Sequence, residues 1–411
     1  MKPRLALVTA GHLSTCPRMV KAADALAEAG YEVDLVSTRS TAWAAEADRD
    51  VRDRRRDRWK SSVIDYSRSG RPILYGKSGL RRRLARVLAA RTREVPFRLA
   101  TRAFARVHDE LVASALATSA DFFYGATTGG IAAAFEAAKR AGRPYALDLE
   151  DFFSGEPPED SLDRKLAERV EREILPGAEF LTASSGPIAE AYAAKYGVSA
   201  ETIHNVFPLP GAPPDLELGR EGPLRLYWFS QTVGPGRGLE EAIAAAGVSG
   251  VDAELHLRGA IAEGYRGMLL KLAGEKAPGL SLTIHPPGPA DEMTSLASGF
   301  EVGLSLEQPV SVNRPLCLTN KALIYLLAGL ALVMTDTPGQ RPLRQALGDK
   351  ALVVAPGGVK ALAEGFRRFA ADRRHLLDCR RASWQAAATR WHWDHPEERG
   401  RLLRLFEEVT R

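Results

Sequence analysis

A glycine-rich loop with one arginine is the clearest candidate for chemistry in this sequence. It follows the predicted strand Leu224–Phe229 and runs from Ser230 to Glu240 as SQTVGPGRGLE. Glycines allow backbone amides to approach a phosphate, and Arg237 adds a positive charge with several donors. Leu239 stands where a dinucleotide fingerprint needs its third glycine, and no Gly-Lys-Ser/Thr follows. The loop therefore predicts a phosphate cradle of another type, with a structural turn as the alternative.

A second candidate lies between a strand and a helix start further along the chain. The predicted strand Val302–Leu306 ends beside Glu307, and a helix begins near Thr319 and Asn320, with Lys321 next to them. The free amide groups of a helix's first turn attract anions, and a neighbouring lysine adds to that attraction. We expect this region to face a phosphate or a ribose, although the apolar face of the helix also fits plain packing.

The loop after the first predicted strand carries Gly11 and His12, with Arg18 at the start of the following helix. In parallel α/β sheets, ligands bind beyond the carboxyl ends of the strands. The residue types in this loop suit an anionic or polyhydroxyl ligand. The alternative is a plain strand-to-helix turn in which Ser14 or Thr15 caps the helix.

Three carboxylates, Asp148, Glu150 and Asp151, lie at the end of the predicted strand Tyr145–Leu149. Carboxylates in such a position could supply a base or bind sugar hydroxyls. They could equally cap the next helix, and their position in the sequence does not decide between these roles.

Other patterns predict no site. Asp48 and Asp50 form a DxD pattern, but a polar, arginine-rich stretch surrounds them and no strand precedes them, so we expect a solvated loop. His392 and His395 have no neighbouring cysteine or carboxylate cluster that would complete a zinc site. The sequence has no GxSxG nucleophile elbow. We therefore expect no metal site.

Short apolar runs that alternate with segments of helical period must position these loops. The alternation predicts parallel sheets whose strands are covered by helices on both faces. Residues 209–223, rich in Pro and Gly, interrupt the alternation and indicate a linker between two halves. The predicted strands are Leu5–Thr9, Glu32–Val36, Phe122–Tyr124, Tyr145–Leu149, Phe180–Ala183, Thr202–His204, Leu224–Phe229, Ala253–Leu257, Leu280–Ile284, Val302–Leu306, Ala331–Thr335 and Ala351–Val354.

The amino-acid composition and the distribution of charge limit which classes of protein this chain can belong to. The 411 residues include 45% apolar and 26% charged side chains, which suits two or three globular domains. The net charge of +5 is unevenly distributed. From Arg49 to Arg106 there are 19 Lys or Arg and 5 Asp or Glu, a net charge of +14, so the remaining residues carry −9. This asymmetry excludes a uniformly basic nucleic-acid binder and directs attention to one segment.

Targeting signals and cysteine usage indicate a cytoplasmic protein. The first apolar run is too short for the core of a secretory signal, and the longest uncharged apolar run, Ala322–Met334, is shorter than a membrane span. The three cysteines are far apart and in no CxxC spacing, which disfavours a disulfide scaffold or a zinc ribbon.

Three segments of the chain resemble the retaining glycosyltransferases of family 4. They are His12–Val33, the loop Gly234–Glu240, and the run from Asn320-Lys321 to Leu330, which is similar to the donor segment NKxxEYxAxGxPV of that family. The resemblance extends over most of the chain. It implies the GT-B fold, an α/β architecture with two facing Rossmann-like domains, parallel sheets and a C-terminal helix that crosses back to the first domain.

The same resemblance implies a division of labour. Residues 1–212 would form an acceptor domain with a basic helical insert at about 49–106, residues 213–383 a donor domain, and residues 384–411 the returning helix. The implied activity is transfer of a sugar from a nucleotide-diphosphate sugar to a glycan or lipid-linked acceptor, with retention of configuration. Beyond this co-substrate, the resemblance implies no cofactor and no metal.

Individual residues take roles by the same resemblance. Gln231 and Arg237 stand where relatives place an Arg and a Lys on the donor diphosphate, and Glu307 takes the catalytic place from a different spacing. The donor side would comprise Gly11, Gln231, Gly236, Arg237, Gly238, Asn320, Lys321 and Tyr325. The acceptor side would comprise His12, Arg18, Asp148, Glu150 and Asp151.

The sequence departs from the family pattern at two places. Ile324 occupies the position of the second Glu in a Glu-x7-Glu pair, and Leu316 is not acidic either. The strand Phe122–Tyr124 leads into Gly-Ala-Thr-Thr, where relatives often place a histidine. These departures leave two alternatives open: a catalytically silent protein that binds sugar nucleotides, and, ranked below it, a nucleotide-sugar epimerase.

The basic segment has the pattern of an amphipathic helical insert. Arg81, Arg82, Arg83 and Arg86 lie among apolar residues such as Leu84. One interpretation is a helical pair packed on the domain with a solvated arginine face. The other is a docking surface for an anionic membrane or a phosphate-bearing acceptor, which would place the protein at the inner membrane face. Nucleic acid is not an expected partner, because aromatics are sparse here and no recognised binding module frames them.

Overall fold

Two compact units make up the described chain. The computed structural model describes residues 2–41, 44–216 and 222–410. One unit contains the described residues up to His204 together with those from Arg399 onward, and the other is Asn205–Glu398. Part of the predicted linker, residues 217–221, lies outside the described residues.

The first unit is built on a seven-stranded sheet in the order β3-β2-β1-β4-β5-β6-β7, with every neighbouring pair parallel. Every residue of β4 and β5 is buried, because helices cover both faces of these central strands. The strands are β1 Arg4–Thr9, β2 Glu32–Arg39, β3 Lys60–Asp65, β4 Phe122–Ala126, β5 Tyr145–Leu149, β6 Leu181–Ala183 and β7 Glu201–Thr202. The helices before the crossover are α1 Pro17–Glu28, α2 Ala44–Asp53, α3 Pro72–Arg91, α4 Phe97–Phe104, α5 His108–Ala117, α6 Thr127–Ala141, α7 Leu162–Ile174 and α8 Gly186–Tyr196.

The sequence predicts that the basic segment, residues 49–106, is helical. In the structure, part of this segment forms a strand. Its residues Lys60–Asp65 form β3, which pairs in parallel with β2 at the edge of the sheet. The strand has no continuous apolar run, because an edge strand is only half covered and Val63 and Ile64 stand among polar residues. The rest of the segment includes the end of α2 and the whole of α3 and α4.

The second unit is built on a six-stranded parallel sheet in the order β10-β9-β8-β11-β12-β13. Its strands are β8 Leu224–Val233, β9 Ala253–Ile261, β10 Ser281–His285, β11 Val302–Ser305, β12 Ala331–Thr335 and β13 Leu352–Val354. Its helices are α9 Leu239–Ser249, α10 Glu263–Lys276, α11 Met293–Ser298, α12 Asn320–Leu327, α13 Arg341–Leu347, α14 Val359–Ala371 and α15 Arg373–Thr389.

The C-terminal residues return to the first unit. Residues 390–395 separate α15 from a π-helical turn, Pro396–Gly400, which runs directly into the last helix, α16 Arg401–Val409, so the terminal segment is two helices and not one. Phe406 of α16 is fully buried, with its ring centre 5.6 Å from that of Phe122 and 5.2 Å from that of Phe180. Aromatic burial of this kind fixes α16 to the first unit.

Candidate functional site

The glycine-rich loop of the second unit lies between β8 and α9. Gly236 and Gly238 adopt left-handed backbone conformations, with φ of 73° and 76°, which favour glycine. A Cβ atom on Gly238 would lie 2.4 Å from the carbonyl oxygen of Leu306, so only glycine allows this close approach. The loop thus packs against the chain that follows β11. This packing places Arg237 close to the side chain of the residue that follows Leu306.

That residue is Glu307, and three cations surround its carboxylate. Lys321 Nζ lies 2.7 Å from Oε1, while Arg237 Nη1 and Arg314 Nη1 lie 3.5 Å and 3.6 Å from Oε2. The side chain of Glu307 is 1% exposed, and those of Arg237 and Arg314 are 27% and 19% exposed. We name these four residues the cation cluster; it has three positive charges and one negative charge.

The environment of the central ion pair shifts the pKa values of both partners downward. Burial raises the pKa of Glu307, but the charge and hydrogen bond of Lys321, together with the charges of Arg237 and Arg314, outweigh it and lower that pKa below its usual value. Burial lowers the pKa of Lys321, and the carboxylate of Glu307 partly opposes this shift. The ring centre of the buried Trp228 lies 5.4 Å from Lys321 Nζ, which adds a cation–π contact.

A buried hydrogen-bond network holds the backbone beneath the cation cluster. The Ser305 hydroxyl contacts the Thr319 hydroxyl at 2.9 Å and donates to Gln340 Oε1 at 2.5 Å. Gln340 Nε2 donates in turn to the carbonyl oxygens of Ser305 and Thr335. The Thr335 hydroxyl donates to the carbonyl oxygen of Glu307 at 2.9 Å. The network joins the ends of β11 and β12 to the start of α12, so that Glu307 and Lys321 face each other.

The other donor residues assigned from the sequence lie outside the cation cluster. Asn320 begins α12 and accepts a hydrogen bond from Asn205 Nδ2 at 2.9 Å. Gln231 is exposed on β8, where the register with β9 shifts, and no hydrogen bond or ion pair joins it to the cluster in the described part of the chain. Tyr325 is fully buried, and its hydroxyl donates to the carbonyl oxygen of Leu304. Tyr325 therefore supports the packing of α12.

In the first unit, the loop after β1 is organised by Asp48. The Asp48 carboxylate accepts hydrogen bonds from the Ser14 amide at 2.9 Å and the Ser14 hydroxyl at 2.7 Å, and its other oxygen lies 3.6 Å from His12 Nδ1. The prediction of a solvated loop around Asp48 and Asp50 is wrong, because both lie in α2 and Asp48 is buried. The alternative in which Ser14 or Thr15 caps α1 does not hold, because Cys16 is the N-cap of this helix, without a side-chain hydrogen bond.

Two further features shape this loop. A Cβ atom on Gly11 would lie 2.3 Å from Cys16 Sγ, so the loop folds tightly over that thiol. Thr127, at the start of α6, has a φ of 63°, which is strained for a β-branched residue. Its hydroxyl accepts a hydrogen bond from the Ala10 amide at 2.9 Å. Thr127 thus ties the start of α6 to the loop, in the region where relatives often have a histidine.

Arg18 and Asp148 form a buried ion pair. Arg18 donates through Nε and Nη2 to the two carboxylate oxygens at 2.7 Å and 2.8 Å, and through Nη1 to the carbonyl oxygen of Ile203. The Thr182 hydroxyl donates to Asp148 Oδ1 at 2.6 Å. Asp148 is fully buried and Arg18 nearly so. These contacts indicate a structural role for Arg18 and Asp148. The family resemblance assigns both residues to the acceptor side.

Glu150 and Asp151 follow β5 but do not cap the next helix, whose N-cap is Ser161. The chain just after them is fixed by Glu171, which accepts hydrogen bonds from the Ser154 amide and the Tyr192 hydroxyl. No sequence pattern points to this anchor, because Glu171 lies on α7 among other charged residues.

The environment of Glu150 favours its protonated form. Burial, followed by the charges of Asp151 and Asp148, raises the pKa of Glu150 to about 8, although Arg18 and Lys21 oppose the shift. Lys21 is itself buried on α1.

The raised pKa of Glu150 makes stability depend on pH. In the unfolded chain a glutamate loses its proton near pH 4.3, whereas the folded protein keeps this proton up to about pH 8. The folded state therefore binds more protons in this interval, and stability falls as pH rises through it. We expect urea unfolding midpoints of the wild-type protein to drop from pH 5 to pH 8, and those of Glu150→Gln to drop less. Equal slopes for both proteins would contradict the raised pKa.

Two Rossmann-like units with parallel sheets and a C-terminal helix that returns to the first unit define the GT-B fold of glycosyltransferases. Residues 17–208 match the family model described as "Glycosyl transferase 4-like domain". A comparison with curated proteins found no match.

Solved structures with the same fold cover nearly the whole chain. HepE of Anabaena in complex with UDP-glucose is 15% identical, with a TM-score of 0.69 over 100% of this chain and 99% of its own. Sucrose-phosphate synthase from Thermosynechococcus elongatus is 12% identical, with a TM-score of 0.67 over 99% of each chain. TarM of S. aureus in complex with UDP is 9% identical, with a TM-score of 0.65 over 100% of each chain. At these identities the likeness shows the fold.

Proposed function

We propose that this chain is an active glycosyltransferase that binds a nucleotide-diphosphate sugar at the cation cluster and transfers the sugar to a glycan or lipid-linked acceptor. The convergence of Arg237, Arg314 and Lys321 on Glu307 carries the proposal. The cluster has two positive charges in excess, which matches the two negative charges of a diphosphate diester. The bound UDP-glucose of HepE and the bound UDP of TarM support a UDP-sugar as the donor.

The cations would act on the leaving group. As the bond between the sugar carbon and the diphosphate oxygen breaks, negative charge develops on the diphosphate, and fixed cations stabilise it without reorganisation. Arg237, Arg314 and Lys321 supply the charge that a metal ion supplies elsewhere, so we propose transfer without a metal. Glu307 is the positioning residue that orients them.

We further propose that the transfer retains configuration. Glu307 is a poor base, because three cations hold its pKa below the usual value and its side chain is buried. The departing diphosphate oxygen would then take the acceptor's proton as the new bond forms between the acceptor oxygen and the sugar carbon. This route does not need the second Glu that Ile324 replaces.

Arg237→Ala tests the placement of the diphosphate. A lost hydrogen bond to a charged group is expected to weaken UDP binding about ten- to hundredfold, as measured by calorimetry. Hydrolysis of UDP-glucose should fall at least as far. Arg266→Ala removes another arginine of the same unit, 51% exposed on α10, and should leave both values unchanged.

The outcomes separate the alternatives. Unchanged binding and turnover in Arg237→Ala would contradict the proposed diphosphate site. Absence of UDP, GDP and ADP binding in the wild-type protein would overturn the proposal altogether. Binding without turnover of any common nucleotide sugar would favour the catalytically silent sugar-nucleotide-binding protein.

A further inference from the structure

Helix α3 exposes a row of large apolar side chains. Ile73, Leu80, Leu84, Val87 and Leu88 are between 49% and 75% exposed, and they are half of the ten large apolar side chains exposed among the described residues. At 3.6 residues per turn, all five fall within an arc of about 100° on the helix. We name these five residues the apolar stripe. A contiguous exposed apolar surface of this kind marks an interaction site.

The arginines of α3 lie largely on its protein side. Arg81 Nη2 lies 2.5 Å from Glu110 Oε2, Arg82 Nε donates to the carbonyl oxygen of Ala103 at 3.3 Å, and Arg86 pairs with Asp163. Of the two interpretations of the basic segment, the one with a solvated arginine face does not describe these three arginines of α3. These charges face the domain, and the apolar side faces out.

The inner face of α3 is held firmly. Ser78, Ala85 and Ala89 are buried. Arg106, just beyond the end of α4, donates from Nε to the Ser78 hydroxyl at 3.1 Å, and its guanidinium lies 4.0 Å from the ring centre of Tyr75. These contacts fix the rotation of the helix, so the apolar stripe is presented to solvent as a rigid surface.

Exposed cations accompany the apolar stripe. Lys77 and Arg91 lie within the same arc, and Arg83, which is also exposed, lies about 40° outside it. These exposed cations give this face the charge that complements an anionic surface. Two copies of the chain would repel each other across this face, because each carries the same positive charge.

We infer that α3 docks on an anionic lipid bilayer, with the apolar stripe in the headgroup–acyl boundary and the cations on lipid phosphates. None of the helices in residues 2–41, 44–216 and 222–410 is long and apolar enough to cross a membrane. Helix α3 has 20 residues but many charges, so it would lie in the plane of the surface, about 30 Å long. The inference goes beyond the proposed function, and it stands on the exposed surface of the first unit.

Co-sedimentation of the full-length protein with vesicles tests the inference. The wild-type protein should bind vesicles of phosphatidylglycerol and phosphatidylcholine, bind pure phosphatidylcholine at least tenfold more weakly, and lose binding as salt rises. The triple variant Leu80→Gln, Leu84→Gln, Leu88→Gln keeps helix formers at each position and should lower the partition coefficient about tenfold or more. The variant Lys77→Gln, Arg83→Gln, Arg91→Gln should lower it by about fivefold per charge.

A matched control replaces exposed apolar residues elsewhere. Met268 and Leu270 on α10 of the second unit are 38% and 47% exposed, and Met268→Gln, Leu270→Gln should bind vesicles like the wild-type protein. UDP binding should be the same in all variants, which separates this inference from the proposed function. No vesicle binding by the wild-type protein, or equal binding by the leucine variant, would overturn the inference. So would self-association in sedimentation velocity that the leucine variant abolishes, since a second copy would then cover the stripe.

Discussion

Replacement of Lys321 by Met is expected to lower kcat/KM for a UDP-sugar about 10²- to 10³-fold, the usual effect of removing one fixed group that stabilises developing charge. Lys321 Nζ lies 2.7 Å from Glu307 Oε1 and is nearly fully buried. After burial, the charge of Lys321 is the largest influence on the pKa of Glu307, and it lowers that pKa. The variant therefore loses one cation and shifts Glu307 toward its protonated form, which loosens the hold on Arg237 and Arg314.

Steady-state kinetics and UDP calorimetry on the same preparation measure this effect. Lys271→Met is the matched control, because Lys271 is 77% exposed on α10 of the same unit and pairs only loosely with Glu275. We expect its kinetics and stability to match the wild-type protein. If Lys321→Met folds and turns over normally, the cation cluster is not the donor site.

Most of the sheet architecture could be predicted from the sequence. All twelve predicted strands overlap observed ones, and Tyr145–Leu149 and Ala331–Thr335 agree to the residue. Those two strands are buried along their whole length, so their apolar runs are continuous and easily recognised. The missed strand, β3, is an edge strand whose residues are only half covered, and its sequence carries no such signal.

The donor loops could also be located in advance, because glycine and charged residues at strand ends have a recognisable chemistry. Arg237, Glu307 and Lys321 were each selected from the sequence, and the structure brings these three together. Arg314 was missed, since it precedes a proline in an irregular segment without periodicity. No local sequence pattern identifies Arg314 as a site residue.

The hydrogen-bond network beneath the cation cluster could not be predicted from the sequence, for a different reason. Gln340 lies 35 residues from Ser305, and its role depends on hydrogen bonds between the ends of β11 and β12. Strand order, and hence which strand ends meet, follows from the tertiary fold. The same applies to α3: its period shows an amphipathic helix, but the sequence does not say which face turns outward.

Breaking the buried pair in the first unit is expected to cost much more stability than activity. Among the described residues, Arg18→Met leaves the fully buried Asp148 with the Thr182 hydroxyl as its remaining side-chain partner. Removal of one partner from a buried ion pair typically costs about 3–5 kcal/mol, because the remaining charge is uncompensated. Urea unfolding followed by circular dichroism should show this loss in the transition of the first unit. UDP affinity should stay at the wild-type value, since the cation cluster belongs to the second unit.

Arg143→Met is the matched control, because it breaks an exposed ion pair and shows how much stability such a pair contributes. Arg143 Nη2 lies 3.3 Å from Asp121 Oδ1, and both side chains are about half exposed, so this pair should contribute less than about 1 kcal/mol. A large stability difference between the two variants, with equal UDP affinity, would assign Arg18 and Asp148 to the scaffold. If Arg18→Met instead keeps its stability and raises only the KM for an acceptor, the pair belongs to the acceptor side as the sequence suggested. The acceptor would then have to displace Arg18 from a carboxylate that it binds through two hydrogen bonds. Such displacement would expose a charge that is now fully buried, which is why we expect the structural outcome.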